Sequence, residues 1–414
     1  MQNNIIHPNQ FAYVAHKSTV VALHKMLDDI YVNVNNGLLT GLCKLDLRKG
    51  FDSLNHTILL HKLSKYGIND NSNEFKWFQS YICERSQIVK CNRTLSTPMP
   101  LKTGVCQGTI LGPILFLLYV NDMFDVTDTV NCIMYADDTT LYCNGVDSTD
   151  VELKLQRGID AISEWLQINR LVVNSRSSKS STMVIGTKNK CQDVSVNVTV
   201  SGLYINYATS CKLLGVTLDS NLTWSEHLFI VARKLSKKVG ILYRLSKILS
   251  PGILNVLYMA IVQPDIDYCI SVWGNAADIY VNTIQKLQNR AARIISNCFD
   301  WNVSSAELIA NLNWMPVKMR KDYFVSIFMY KVVNGIIHVL EDHVHHVVNK
   351  YTTRAVCSNN LAYRKPNLKL FESSLQFYGA HIWNSLPINV REAQDICTFK
   401  KLCKAHLVQC KYYN

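Results

Sequence analysis

The chain has 414 residues, 48% of them hydrophobic, and its 43 lysines and arginines against 31 acidic residues give a formal net charge of +12. That length suits two or three domains, and that hydrophobic content excludes wholesale disorder. The charge favours an anionic partner such as nucleic acid. An equally good interpretation is a soluble protein that is basic without having such a partner. The longest apolar run, residues 110–120, is too short to span a membrane. The 14 cysteines, without an apolar leader, indicate reduced thiols in an intracellular protein.

In the first half of the chain, the spacing of apolar residues is regular enough to predict helices and strands. Helical spacing predicts helices over residues 17–31, 55–66, 73–83 and 149–169. Strand patterns are present at residues 39–47, 89–101, 171–174, 182–186, 194–200 and 211–218. A glycine-rich loop precedes a predicted helix over 113–122. Residues 131–142 predict a β-hairpin with Asp137 and Asp138 at its turn.

The pattern changes after Asp219, where helical spacing replaces short strands. Residues 224–244 predict an amphipathic helix, and Pro251 then marks a break. Basic residues on the outer face of this helix include Lys234, Lys237, Lys238 and Arg244. Beyond it the chain is predicted to be mainly helical. These changes predict three parts, residues 1–218, 219–252 and 253–414.

Three aspartates stand where predicted strands end or turn, namely Asp46, Asp137 and Asp138. Adjacent carboxylates in an apolar hairpin oppose each other's ionisation, and partial burial raises that cost. A hard divalent cation such as Mg²⁺ relieves both problems. Two such ions about 4 Å apart assist phosphoryl transfer. If Asp137 and Asp138 are considered alone, a polar hairpin turn without a metal ion explains them equally well.

Five motifs in order resemble the reverse transcriptases of non-LTR (LINE-type, jockey-like) retrotransposons. They are Leu45-Asp46-Leu47-Arg48-Lys49-Gly50-Phe51-Asp52, Gly104-Val105-Cys106-Gln107-Gly108, Tyr135-Ala136-Asp137-Asp138, Leu171-Val172-Val173-Asn174 with Lys179, and Leu214-Gly215-Val216-Thr217-Leu218-Asp219. Two C-terminal runs are similar to the tails of these elements, Gln285-Lys286-Leu287-Gln288-Asn289-Arg290 and Trp383-Asn384-Ser385-Leu386-Pro387. The resemblance therefore spans nearly the whole chain.

The resemblance implies an α+β fold for residues 1–218, with a polymerase palm and remnant fingers. The palm would be an antiparallel sheet with helices on one face. Residues 219–252 would form a helical thumb, and residues 253–414 a mainly helical C-terminal region of retrotransposon type. The implied activity is RNA-directed DNA polymerase, which adds dNTPs to the 3′-hydroxyl of a DNA primer on an RNA template. A nucleotidyl cyclase, another class that uses paired aspartates, would not require Phe51, Gln107 or a basic thumb.

The resemblance also implies roles for individual residues. Two Mg²⁺ ions, with Mn²⁺ as the alternative ion, would be held by Asp46, Asp137, Asp138 and the carbonyl of Leu47. The incoming nucleotide would be contacted by Phe51, Gln107, Gly108 and Lys179. A core aromatic and a solvated surface lysine are the alternative interpretations of Phe51 and Lys179. Lys234, Lys237, Lys238 and Arg244 would contact nucleic-acid phosphates, or else form a solvated helix face.

The sequence also departs from the family pattern. It starts late, so we expect the early fingers strands and an upstream endonuclease to be missing, as in an N-terminally truncated element. Val14 stands where the family has an arginine. The alternative is therefore an inactive transposon relic that retains the palm and binds nucleic acid. Either protein is expected in the nucleus or cytoplasm as a ribonucleoprotein, away from membranes, and its oligomeric state is left open.

Overall fold

The computed structural model describes residues 5–174, 180–192, 194–300, 302–346 and 360–410. The chain forms two compact units. The N-terminal unit comprises Met1–Ala22 and Gly37–Thr209, and the C-terminal unit comprises Leu23–Asn36 and Ser210–Asn414. Helix α1, Thr19–Asn35, contributes residues to both units, and Gly37, with a φ of 76°, follows its end. A glycine adopts this left-handed conformation without the strain of a side chain.

The N-terminal unit mixes helices and strands. Its elements after α1 are β1 Leu39–Asp46, α2 Gly50–Ser53, α3 His56–Lys65, α4 Asn73–Cys83, β2 Ser86–Gln87, β3 Lys90–Cys91, β4 Thr94–Leu95, β5 Met99–Pro100, α5 Leu111–Val120, β6 Asn131–Tyr135, β7 Asp138–Gly145, α6 Ser148–Ile168, β8 Ser181–Ile185, β9 Thr199–Val200, β10 Leu203–Tyr204 and β11 Asn206–Tyr207. A 3₁₀ turn, Asn121–Asp125, follows α5. The α+β fold expected from the sequence is confirmed.

A five-stranded sheet in the order β11-β8-β1-β7-β6 organises this unit. Strand β1 lies between β7 and β8 and is antiparallel to both, whereas β11 is parallel to β8. Successive side chains of a strand point to opposite faces. Cys43 and Leu45 of β1 therefore face the hydrophobic core, and Lys44 and Asp46 face the other way.

Helix α6 packs closely on the core face of the sheet. A Cβ atom added at Gly41 would lie 2.3 Å from Cγ1 of Val151 and 2.8 Å from Cδ1 of Leu155. The missing side chain at Gly41 therefore sets how near the helix approaches β1. Leu155 and Val151 belong to a buried core that also includes Phe116 of α5. This packing holds the strand that carries Asp46.

Most predicted elements of the N-terminal unit are confirmed, and the differences concern predicted strands, of which 194–200 forms only at Thr199–Val200. The predicted strand at 171–174 is wrong, because only Val173 pairs with the sheet, in a single bridge to Leu47 just beyond the end of β1. The 89–101 region forms parts of two short two-stranded ladders, β2–β5 and β3–β4, rather than one strand. The exposed residues of these ladders give no core face to align a longer strand.

The C-terminal unit is mainly helical after one short hairpin. Its elements are β12 Ser210–Leu213, β13 Val216–Asp219, α7 Ser225–Leu245, α8 Pro251–Leu257, α9 Gln263–Asp267, α10 Ile270–Trp273, α11 Asp278–Ile295, α12 Ser305–Asn311, α13 Val317–Val333, β14 His345–His346, β15 Leu361–Ala362, α14 Ala380–Ser385, α15 Ile388–Arg391 and α16 Ile396–Gln409. Two π-helical segments, Tyr258–Val262 and Leu375–Gly379, and two 3₁₀ segments, His338–His343 and Lys369–Ser373, connect them.

The long helix predicted over 224–244 is confirmed as α7, and it packs against α11. Its buried stripe consists of Leu228, Val231, Leu235, Val239 and Leu242. Pro251 occupies the first turn of α8, where its missing N–H is not needed. Across the described ranges, no helix is both long and apolar enough to cross a membrane. No disulfide joins two cysteines within the same ranges.

Candidate active site

Two of the three predicted aspartates face each other across neighbouring strands. Asp46 is the last residue of β1 and Asp138 the first of β7, and their Cα atoms are direct partners in the antiparallel register. Side chains of directly opposed residues point to the same face and lie within contact range. Both aspartates are half-buried. Two negative charges so placed destabilise the sheet unless cations compensate them.

The third aspartate lies in the turn that joins β6 to β7. Tyr135 pairs with Asp138, so Ala136 and Asp137 form a two-residue turn. Ala136 has a φ of 56°, which is unusual for a residue with a side chain and carries strain. A Cβ atom added at Gly50 would lie 3.4 Å from Cβ of Asp137, so the start of α2 is beside this carboxylate. The structure thus brings all three aspartates to one end of the sheet.

The carboxylates of Asp46 and Asp138 have polar partners within the N-terminal unit. Asn174 Nδ2 donates to Asp46 Oδ2 at 3.1 Å, and the Asp46 N–H donates to Ser180 Oγ at 3.2 Å. Lys44 Nζ lies 3.5 Å from Asp138 Oδ1. Sequence reasoning missed Lys44, although a lysine in an apolar strand, two positions before Asp46, had to share its face.

The glycine-rich loop before α5 is bonded to the segment that follows β1. Gln107 Nε2 donates to Asp52 Oδ1 at 2.7 Å, and both residues are exposed. Gly104 has a φ of 84°, and a Cβ atom there would lie 2.8 Å from the carbonyl oxygen of Asp52. The carbonyl of Gly104 accepts hydrogen bonds from His56 Nε2 and Arg85 Nη2, at 2.9 and 2.8 Å. The loop that carries Gln107 is therefore held on the segment that carries Asp52.

The remaining residues predicted to contact the nucleotide or metal are placed as follows. Phe51 is half-buried and stacks on Phe116, with ring centroids 4.4 Å apart. Gly108 is exposed, has a φ of 75°, and would have nothing within 4 Å of an added Cβ. Leu47 follows Asp46 and is buried. Lys179 lies outside the described residues.

An N-terminal segment supports the hairpin that carries Asp137. The N–H of Phe11 donates to the carbonyl of Met134 at 2.9 Å, alongside β6. Gln10 Oε1 accepts from the N–H of Ala136 at 3.3 Å, within the turn itself. Lys17 Nζ donates to the carbonyl of Gln10 at 3.0 Å, and burial lowers the pKa of Lys17 to about 8. The sequence alone did not connect Gln10 to this turn.

The four basic residues of α7 that were predicted to contact phosphates divide into two pairs. Lys234 and Lys238 both form ion pairs with Asp265, at 2.8 and 2.5 Å. Lys237 and Arg244 are exposed. Within the C-terminal unit, Asp265 thus compensates two of the four cations that were predicted to contact phosphates.

A mainly antiparallel sheet with two opposed aspartates and a third in the adjoining hairpin turn defines the class of polymerase palms. The all-carboxylate set suits a hard cation such as Mg²⁺. In the part of the chain that the structure describes, no three His, Cys, Asp or Glu side chains are already gathered to hold a metal ion. The strands bring the backbone positions together, while Lys44 lies against one of the carboxylates.

Comparison with known proteins assigns the family. The model of the family described as "Reverse transcriptase (RNA-dependent DNA polymerase)" matches residues 1–218, and the chain belongs to this family. It is similar to the "RNA-directed DNA polymerase from mobile element jockey" of Drosophila melanogaster, with 27% identity over 73% of this chain and 33% of the relative. It is also similar to the "Probable RNA-directed DNA polymerase from transposon X-element" of the same species, with 29% identity over 75% of this chain and 34% of the relative.

The chain therefore spans about a third of the length of the curated relatives it matches. Among solved structures, it is similar to a telomerase from Candida albicans in complex with a fragment of telomeric RNA. That similarity has a TM-score of 0.38 at 17% identity and covers 73% of this chain and 55% of the telomerase chain. The family assignment rests on the match over residues 1–218 alone.

Proposed function

We propose that the chain is the RNA-directed DNA polymerase of a non-LTR retrotransposon, and that it adds dNTPs to the 3′-hydroxyl of a DNA primer on an RNA template. The observation that carries this proposal is the direct opposition of Asp46 and Asp138, with Asp137 in the adjoining turn. A bound divalent cation would relieve the repulsion between these carboxylates. The family membership supplies the reaction class.

Asp46, Asp137 and Asp138 would hold two Mg²⁺ ions, with Mn²⁺ as the alternative, and the carbonyl of Leu47 would be a further ligand. Bound there, the ions would activate the primer hydroxyl and neutralise charge on the phosphates. The chain itself contributes the geometry. The paired ends of β1 and β7 set the spacing of Asp46 and Asp138, and the start of α2 lies beside Asp137 at Gly50.

The nucleotide would lie over the surface formed by Phe51 and the loop that carries Gln107. Stacking on the buried Phe116 fixes the ring of Phe51, so a ribose 2′-hydroxyl would clash with it and deoxynucleotides would be selected. Gln107 would bind the nucleotide, oriented by its hydrogen bond to Asp52. Gly108 would allow close approach of the backbone. Lys179 would lie near the pyrophosphate.

Template and primer would be bound in part by α7, the helix of the proposed thumb at residues 219–252. Of the four predicted residues, Lys237 and Arg244 are best placed for phosphates, because both are exposed and neither is an ion-pair partner of Asp265. Lys234 and Lys238 would have to share their charge with Asp265. Bound to RNA, the protein would work as a ribonucleoprotein in the nucleus or cytoplasm.

The second candidate is a transposon relic that retains the palm and binds nucleic acid without catalysis. One observation favours it. Val14, at the position where the family has an arginine, is half-buried against the core of the N-terminal unit. That position therefore offers no cation to a triphosphate.

Primer extension on an RNA template with Mg²⁺ distinguishes the two candidates. We expect the unmutated chain to extend the primer and Asp137→Asn to lose at least about 100-fold in rate. Residues that only orient metal ligands already cost roughly 10–100-fold when they are replaced, and a ligand should cost no less. Asp128→Asn, at an exposed aspartate before β6, is the matched control and should extend normally. A folded, unmutated chain that never extends the primer would establish the relic instead.

A further inference from the structure

Lys44 is the one basic residue of strand β1. Strand β1 reads Leu-Thr-Gly-Leu-Cys-Lys-Leu-Asp, and Lys44 precedes Asp46 by two positions. The two side chains therefore share the face of the sheet that carries Asp138. In the register, Lys44 is flanked by Thr140 of β7 and Ser181 of β8, whose side chains point to the same face.

The side chain of Lys44 is largely covered, although its charge lies beside a more open carboxylate. Its relative exposure is 15%, against 44% for Asp138, and Nζ of Lys44 lies 3.5 Å from Oδ1 of Asp138. A lysine covered in this way keeps its stem on the sheet and directs its ammonium toward the polar end. The strands on both sides limit where that ammonium can move.

An ammonium in this position compensates the charge that Asp46 and Asp138 place opposite each other. A divalent cation does the same more strongly, and it needs the same carboxylate oxygen. The two cations repel each other at this range. Binding of one at Asp138 therefore weakens binding of the other.

We propose that Lys44 is an internal counter-ion of the aspartate cluster, which competes with the divalent metal ion for Asp138 and so sets the metal affinity of the site. The inference rests on the proposed function, because it takes the three aspartates as the metal ligands. It assigns Lys44 no contact with the substrate. Lys44 would therefore stabilise the palm when no metal ion is bound, and a metal ion that binds at Asp138 would have to displace the ammonium of Lys44.

The test is the binding of Mn²⁺ alone to the full chain, followed by electron paramagnetic resonance without nucleotide or primer. We expect Lys44→Met to bind Mn²⁺ about two- to five-fold more tightly, as suits a partly exposed ion pair. Lys44→Arg keeps the charge and should bind as the unmutated chain does. Lys154→Met removes a comparable ion pair on α6, with Asp150 at 2.9 Å, and should leave Mn²⁺ affinity unchanged.

A second measurement guards against a poorly folded variant. The rise in Tm between EDTA and saturating Mg²⁺ should be larger for Lys44→Met than for the unmutated chain, and Lys44→Gln should behave likewise. Equal affinity and an equal rise in Tm for these variants, in a chain that binds Mn²⁺, would overturn the role of Lys44 and leave the metal site standing. If neither the unmutated chain nor the variants bind Mn²⁺, the metal site itself is refuted together with this inference.

Discussion

The side chain of Gln10 bonds to the strained turn that carries the metal-site aspartates, through the backbone N–H of Ala136 at 3.3 Å. Gln10 is 1% exposed, and its Oε1 also accepts from the N–H of Ala12 at 3.1 Å. Both contacts come from backbone N–H donors, so the amide atom that accepts them is the oxygen and not the nitrogen. Within the described residues, Nε2 of Gln10 is buried without a hydrogen-bond partner. The unsatisfied Nε2 costs stability, whereas the oxygen of the same amide satisfies the N–H groups of Ala12 and Ala136.

Replacing Gln10 by Met should therefore disturb the turn more than the overall fold. The two N–H groups lose their acceptor, which costs about 1–3 kcal/mol of unfolding free energy. Without its anchor, the turn should also hold Asp137 less well, so a higher Mg²⁺ concentration should be needed for half-maximal primer extension. Urea unfolding and a Mg²⁺ titration of the activity measure the two effects.

Gln10→Glu is the matched control for that change, because its carboxyl group keeps an acceptor at the same position. It should recover most of the Mg²⁺ dependence that Gln10→Met loses. If both variants lose stability equally and neither alters the Mg²⁺ dependence, Gln10 is a packing residue only.

Removing the carboxylate of Asp52 should release Gln107. With Asp52→Ala, the amide loses its 2.7 Å acceptor and samples other rotamers, so the KM for dNTP should rise about five-fold with little change in kcat. Asp52→Asn retains an acceptor oxygen and should stay near the unmutated KM. Steady-state kinetics on a homopolymer template test this, and a fall in kcat alone would contradict it.

Two helical glycines should respond oppositely to alanine. Gly240 in α7 has nothing within 4 Å of an added Cβ, so Gly240→Ala should stabilise the protein by about 0.5–1 kcal/mol. At Gly158 in α6 the Cβ would lie 2.5 Å from Cγ1 of Val130, whose branched side chain cannot easily turn away. Gly158→Ala should therefore destabilise by about 1–3 kcal/mol. Chemical denaturation measures the change in unfolding free energy of both variants. If both changes have the same sign, the close packing of α6 against Val130 is refuted.

Acid should destabilise the protein through His24. Burial lowers the pKa of His24 to about 4, and Nε2 of its ring lies 2.9 Å from Oγ of the buried Ser271. Above pH 6.5 the ring is neutral in both the folded and the unfolded chain, so it adds no pH dependence. As the pH falls from 6.5 to 4 the unfolded chain binds the proton first, and stability falls by about 3 kcal/mol.

His24→Gln should remove that part of the loss, since an amide cannot titrate. Its unfolding free energy should fall less than that of the unmutated chain between pH 6.5 and 4. The exposed His61 provides the control, because His61→Gln should leave the pH profile unchanged. Identical profiles for all three proteins would show that His24 does not carry the effect.

The basic residues of α7 should contribute unequally to nucleic-acid binding. Lys237→Ala with Arg244→Ala should reduce the affinity for an RNA–DNA duplex and lower the slope of log affinity against log salt by about two. Lys234→Ala should change both less, because Asp265 already compensates that charge. Fluorescence anisotropy at several salt concentrations measures the slopes. If every variant has the same slope as the unmutated chain, α7 does not contact phosphates.

The sequence by itself determined the local elements and the chemistry of the aspartates. Residues 73–83 form the predicted helix because each turn repeats the same apolar spacing, which needs no distant partner. Likewise, the alternation around Asp137 and Asp138 predicted a hairpin with both carboxylates at its turn, although β7 begins at Asp138. The resemblance added the family, which the match over residues 1–218 bears out.

Only the tertiary structure decided which residues surround those aspartates. Gln10 reaches the N–H of Ala136 from far along the chain, and Lys44 reaches Asp138 across a strand register that no local pattern encodes. The predicted strand at 171–174 fails for the same reason, since pairing depends on where β1 ends and not on the residues of that segment. Periodicity fixes which face a side chain occupies, whereas its partners depend on contacts between segments distant in sequence.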